Sequence, residues 1–115
     1  MPGSERGDLE NPKKSAYSVE RYDSSWELAY MRRLERDKTV IKWTKNHGIT
    51  IQYVTEAGNV RGYRPDFLIE RIDESKELHE VKGGQYLQSP DTQRKHEAAR
   101  NWCRRRGMRF VVITK

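Results

Sequence analysis

Asp66, Glu80 and Lys82 are the side chains whose types and spacing could do chemistry. They lie in the stretch Tyr63 to Gly84, YRPDFLIERIDESKELHEVKGG. Two apolar-rich runs, Asp66 to Arg71 and Glu77 to Val81, flank the polar turn Asp73-Glu74-Ser75-Lys76, which predicts a β-hairpin. Alternation puts Asp66, Leu68 and Glu70 on one side of the first strand, with Phe67 and Ile69 on the other. On the second strand Leu78, Glu80 and Lys82 share a face, and His79 and Val81 lie opposite. A carboxylate at the start of one strand, and a carboxylate and an amine two apart on its neighbour, can therefore converge, which is the geometry of a metal site. The ordinary alternative is a solvated strand face, since the hairpin also carries Glu70, Glu74, Lys76 and Glu77.

Several elements must position these groups. Ser24 to Asp37 reads as a helix, with Trp26, Tyr30 and Leu34 repeating every four residues and Met31 widening the stripe. Glu27 falls inside that packed arc, where a carboxylate needs a cation or a donor. The pattern Ser24-x-x-Glu27 also fits a capping box, so Glu27 has a site reading and a cap reading. Val40 to Trp43 is a short apolar segment, Ile49 to Thr55 alternates as a strand, and Val60 begins the strand that carries Asp66. Ser89-Pro90 predicts a helix start, Gly107 fits its stop after Arg106, and Met108 to Thr114 reads as a closing strand. The resulting order, αβββαβ, predicts an α/β domain with a central mixed sheet flanked by helices. Lys95 shares a helical stripe with Ala98, Ala99, Trp102 and Arg106. It either reaches toward a phosphate at the site or covers apolar surface with its stem. His79 reads as packing or surface, and His47 and His96 lack partners at metal spacing.

Composition narrows the class. At 115 residues with a formal net charge of +6, the chain is one domain with a modest core and a preference for polyanions. Its one cysteine, Cys103, excludes an intrachain disulfide and reads as a buried, inert thiol. No apolar run approaches the length of a membrane span, and no signal peptide is evident, so a cytoplasmic, reducing location is expected. Residues 1–20, rich in Gly, Pro, Ser and charge at their start, are expected to form a disordered basic arm, with Lys13-Lys14 able to touch a DNA backbone. Residues 21–115 are expected to form the domain.

Pro65-Asp66 followed by Glu80-Val81-Lys82 resembles the signature of the PD-(D/E)xK nuclease superfamily, whose fold is restriction-endonuclease-like. Three further features are similar to the N-terminal domain of TnsA-type transposase endonuclease subunits, and to the nuclease domain of type III restriction subunits. These are the upstream Ser24-Ser25-Trp26-Glu27 helix, the glycines Gly83-Gly84, and the later helix and strand. The resemblance spans roughly Tyr22 to Lys115, and some TnsA-type members place Gln where Glu80 stands. It implies a Mg²⁺-dependent DNA endonuclease, with Mn²⁺ able to substitute. Asp66 and Glu80 would be metal ligands, the Val81 carbonyl a neutral ligand, and Glu27 a supporting acid or second-ion ligand. Lys82 would position or deprotonate the attacking water, or stabilise the phosphorane. Lys95 and Arg94 would contact DNA. The resemblance further implies a bacterial or phage-infected cell, and a homodimer or a separate recognition, helicase or transposase subunit. A catalytically inactive DNA-binding or assembly subunit on the same fold, and a junction-selective nuclease, are the alternatives.

Overall fold

The computed structural model describes residues 5–114; Met1 to Ser4, the tip of the expected arm, and Lys115 lie outside the described residues. In chain order the elements are strands β1 (Gly7–Glu10) and β2 (Val19–Tyr22), helix α1 (Ser25–Arg36), strands β3 (Val40–Thr44), β4 (Ile51–Val54), β5 (Val60–Tyr63), β6 (Phe67–Arg71) and β7 (Lys76–Lys82), helix α2 (Pro90–Arg104) and strand β8 (Arg109–Thr114). The central sheet has the order β3-β6-β7-β8. β6 runs antiparallel to both β3 and β7, whereas β8 lies parallel to β7 because α2 carries the chain back across the sheet. Omitting the two outlying hairpins, the order is αβββαβ, an α/β core with a mixed sheet and a helix on each face.

Alternation along β6 and β7 decides what each face packs against. Phe67 and Ile69 are fully buried among Tyr30, Met31 and Leu34 of α1 and Val40 and Trp43 of β3. Burying a side chain of that size contributes about 2 kcal/mol. Leu78, with the half-buried Leu68, points to the other face and meets Ala99 and Cys103 of α2. The buried stripe of α2 is Thr92, His96, Ala99 and Cys103, one step round from the stripe expected from Lys95. On α1 the expected arc holds for Glu27, Tyr30, Met31 and Leu34, but Trp26 at its edge is exposed.

The strand expected to run from Val60 through Asp66 is divided. β5 pairs with β4 in a separate two-stranded sheet, while β6 belongs to the central sheet. Pro65 sits between them, fully buried; it has no N–H for a ladder and confines Arg64 to extended backbone. Val40–Thr44 therefore takes the outer place in the central sheet, and the β4–β5 hairpin packs Ile51 and Tyr63 against α2 and Leu78.

Residues 5–20 differ most from the expected disordered arm. Leu9 and Tyr22 in the β1–β2 hairpin pack on the α1-side core, and polar groups fix the segment between the strands. The Glu35 carboxylate accepts the Lys13 and Lys14 amides at 2.7 and 3.0 Å and the Trp43 indole N–H at 2.8 Å. Lys14 Nζ donates to the Leu34 and Asp37 carbonyls at the end of α1. Glu20, 1% exposed, accepts from Ser15 Oγ and from the Lys45 amide. These contacts are charge-assisted and fall outside any apolar period.

Candidate active site

In the β6–β7 ladder Phe67 stands opposite His79, so the residue before β6, Asp66, comes opposite Glu80. Backbone and side-chain donors fix both carboxylates. The Val81 N–H donates to Asp66 Oδ2 at 2.8 Å, and the Tyr63 hydroxyl donates to Glu80 Oε1 at 2.8 Å. Glu80 is buried and Asp66 half-buried. Burial first, then the charges of Glu80 and Glu27, push Asp66 up to about 8, although the Val81 amide and Lys45 pull the other way. Burial also raises Glu80, against the Tyr63 hydrogen bond and the charges of Lys82 and Lys95. Two facing carboxylates thus repel each other in a partly dry site.

Lys82 closes β7 on the same side as Glu80, half-buried, with its ammonium 5.7 Å from the Tyr86 ring centre. From α2, Lys95 Nζ lies 5.8 Å from the ring centres of both Tyr53 and Tyr63. It is neither a free surface lysine nor part of the buried stripe: the aromatic faces of the β4–β5 hairpin seat it where its charge acts on Glu80. Arg94 turns away from this group, exposed, with Nη1 reaching the Val54 carbonyl at 3.5 Å.

Glu27 takes the cap reading, with a cation at its carboxylate. Ser24 Oγ accepts the Glu27 N–H at 3.2 Å, and Glu27 Oε1 accepts the Asp23 N–H at 2.9 Å, a cap displaced by one residue from the expected box. Its carboxylate also forms an ion pair with Lys45 Nζ, which bonds Asp23 as well. Among the described residues no three His, Cys, Asp or Glu side chains form a metal-binding cluster. The groups that could hold a metal are the Asp66–Glu80 pair, whose hard oxygens and mutual repulsion suit a divalent cation. Glu27 stands near enough to raise Asp66 but is committed to Lys45.

Sequence reasoning missed three residues here. Tyr63 seemed part of one long strand, so its reach to Glu80 was hidden. Lys45 follows β3 outside any motif; its signal was the need of a buried Glu27 for a cation. His47, which lacks partners at metal spacing, bridges Pro65 O (2.7 Å from Nε2) and the Ile49 N–H (2.9 Å from Nδ1), holding the turn into Asp66. That geometry requires a neutral ring with its proton on Nε2, and burial lowers its pKa accordingly.

The other titratable groups have structural partners. His79 lies on the opposite face from Glu80, between the Tyr30 hydroxyl (2.5 Å) and Glu77 (2.7 Å), with Glu77 also held by Arg71. His96 packs between Tyr63 and Phe110 and is pushed down to about 4 by burial. Burial pushes the Cys103 thiol up to about 11, as an inert core thiol requires. Beside the site, an open cleft of about 510 Å³ is lined by Arg21, Asp23, Lys45, Asn46 and Arg64.

A family model described as TnsA-like endonuclease N terminal matches residues 37–115, more than half of the chain. The match takes in Asp66, Glu80, Lys82 and Lys95 and stops short of α1 with Glu27. No curated protein matches the chain.

Proposed function

The chain belongs to the TnsA-like endonuclease N-terminal family, and from that premise we propose that it is a divalent-metal-dependent DNA endonuclease centred on Asp66, Glu80 and Lys82. One observation carries the reading: two carboxylates face each other across β6 and β7, both raised by burial, with a lysine two residues beyond one of them. Such a pair is costly to a fold unless a cation offsets it. Asp66 and Glu80 would hold Mg²⁺ or Mn²⁺, with the Val81 carbonyl as a neutral donor. When bound, the ion activates water and offsets the charge that develops on the phosphate.

The chain's own residues supply the rest. Lys82 Nζ donates to a phosphoryl oxygen beside the scissile bond, where negative charge grows in the transition state. Lys95, seated on Tyr53 and Tyr63, contacts a flanking phosphate. Arg94, one residue earlier on α2, follows the DNA backbone from the exposed side. Glu27, the supporting acidic residue, acts as a carboxylate through Lys45: their ion pair holds the N-terminal turn of α1 where both charges reach Asp66. A single such centre breaks one strand, so a double-strand cut requires a second copy or a partner nuclease. A separate recognition or transposase subunit would supply the target.

Purified protein incubated with supercoiled plasmid and Mg²⁺ or Mn²⁺ tests the proposal. Nicking that EDTA and Asp66→Ala both abolish is expected. Nicking that persists in either would overturn it.

A further inference from the structure

We propose that Tyr63 is a positioning residue that makes the site selective for a small divalent ion over Ca²⁺, by holding one oxygen of Glu80 away from the metal. The inference rests on the metal-dependent reading above and adds the reason for a particular ion. Tyr63 reaches the site from outside the central sheet. It ends β5 in the β4–β5 hairpin, is 6% exposed, and packs its ring 6.2 Å from His96 and 6.4 Å from Phe110, centre to centre. With the ring wedged there, its hydroxyl has one buried acceptor, Glu80 Oε1, at 2.8 Å.

The two carboxylates are restrained alike. Asp66 Oδ2 is occupied by the Val81 N–H and Glu80 Oε1 by Tyr63. No described side chain bonds the second oxygen of either group. Each carboxylate thus keeps one oxygen that no described side chain engages, which favours binding an ion through a single oxygen. Mg²⁺ and Mn²⁺ accept one or two such oxygens and keep several waters, whereas Ca²⁺ favours six to eight ligands and often grips a carboxylate by both oxygens. The restraint on Asp66 comes from backbone and would survive any side-chain change. At Glu80 the one side-chain donor is the Tyr63 hydroxyl, beside a backbone contact from Asp66, so the side-chain part can be removed cleanly.

Tyr63→Phe keeps the ring that fills the α2-side core and seats Lys95, and removes only the hydroxyl. Calorimetric titration of Mn²⁺ and of Ca²⁺ into wild type, Tyr63→Phe and Asp66→Ala, without DNA, provides the test, with each melting transition recorded alongside. Losing an outer partner of a ligand weakens metal binding by about 10-fold or more. Tyr63→Phe is therefore expected to weaken Mn²⁺ by about 10-fold while Ca²⁺ weakens by less than about 3-fold or improves, narrowing the preference. Equal weakening of both ions would mean a merely structural Tyr63 and would overturn the inference, as would unchanged Mn²⁺ affinity. Asp66-dependent Mn²⁺ binding in wild type, with no change in Tyr63→Phe, sinks this inference and leaves the nuclease reading standing. Absence of Asp66-dependent binding in wild type sinks both.

Discussion

Replacing Asp66 with asparagine should stabilise the metal-free protein, by an amount that depends on pH. Burial and the charges of Glu80 and Glu27 push Asp66 from its ordinary 3.8 up to about 8. Between those values the folded chain holds a proton that the unfolded chain has released, so stability falls as pH rises across that window and is fully present only below it. At about 1.4 kcal/mol per pH unit, the ceiling at pH 7.5 is on the order of 5 kcal/mol. Water at the half-buried carboxylate and relaxation of Glu80 reduce this, and ~2 kcal/mol is the expected cost. Asparagine keeps the shape and can still accept the Val81 N–H, but carries no charge. In EDTA at pH 7.5 Asp66→Asn should therefore melt roughly 10 °C above wild type by circular dichroism. At pH 5 the gain should shrink to about a third, since only about one unit of the window has then been crossed. A gain of the same size at both pH values, or a lower melting temperature at pH 7.5, would refute the reasoning.

Three further outcomes follow from the contacts. Glu35→Ala removes the acceptor for two arm amides and the Trp43 indole; a loss of about 2 kcal/mol in urea unfolding is expected, with faster hydrogen exchange at residues 13–15, and unchanged exchange there would contradict the role given to Glu35. Lys45→Met strands Glu27, whose side chain is 11% exposed; about 2–3 kcal/mol of stability should be lost and largely recovered in Lys45→Met with Glu27→Gln, whereas no recovery would mean that the ion pair is not the cause. Lys95→Ala should weaken binding to all DNA sequences alike and lower the salt slope by about one, measured by anisotropy; an unchanged slope would remove Lys95 from the phosphate contacts.

The β6–β7 hairpin was legible because its cues, alternation and a polar turn, agree; the register that brings Asp66 opposite Glu80 came with the structure. Helix α1 was legible down to Glu27 on its packed side, since an apolar arc with one carboxylate has few other meanings. The β1–β2 segment was not, because polar groups distant in sequence, Glu20 and Glu35, hold it. A chain of Gly, Pro, Ser and charge looks unstructured when its partners cannot be seen. The division of the long strand at Pro65 was written in the sequence, as a residue without an N–H. What could not be read there is that the two halves enter different sheets, which is how Tyr63 comes to touch Glu80. Lys45 and His47 escaped notice because each serves a neighbour, Glu27 and Pro65, without any motif of its own.

Asp66→Asn joins stability to chemistry in one protein, and its plasmid nicking is the measurement to make first. With Mg²⁺ or Mn²⁺ at pH 7.5, wild type should nick supercoiled DNA and stop on addition of EDTA, while the more heat-resistant variant should leave the plasmid intact. A folded Asp66→Asn that nicks at the wild-type rate would contradict the assignment of Asp66 and Glu80 as the metal-dependent centre.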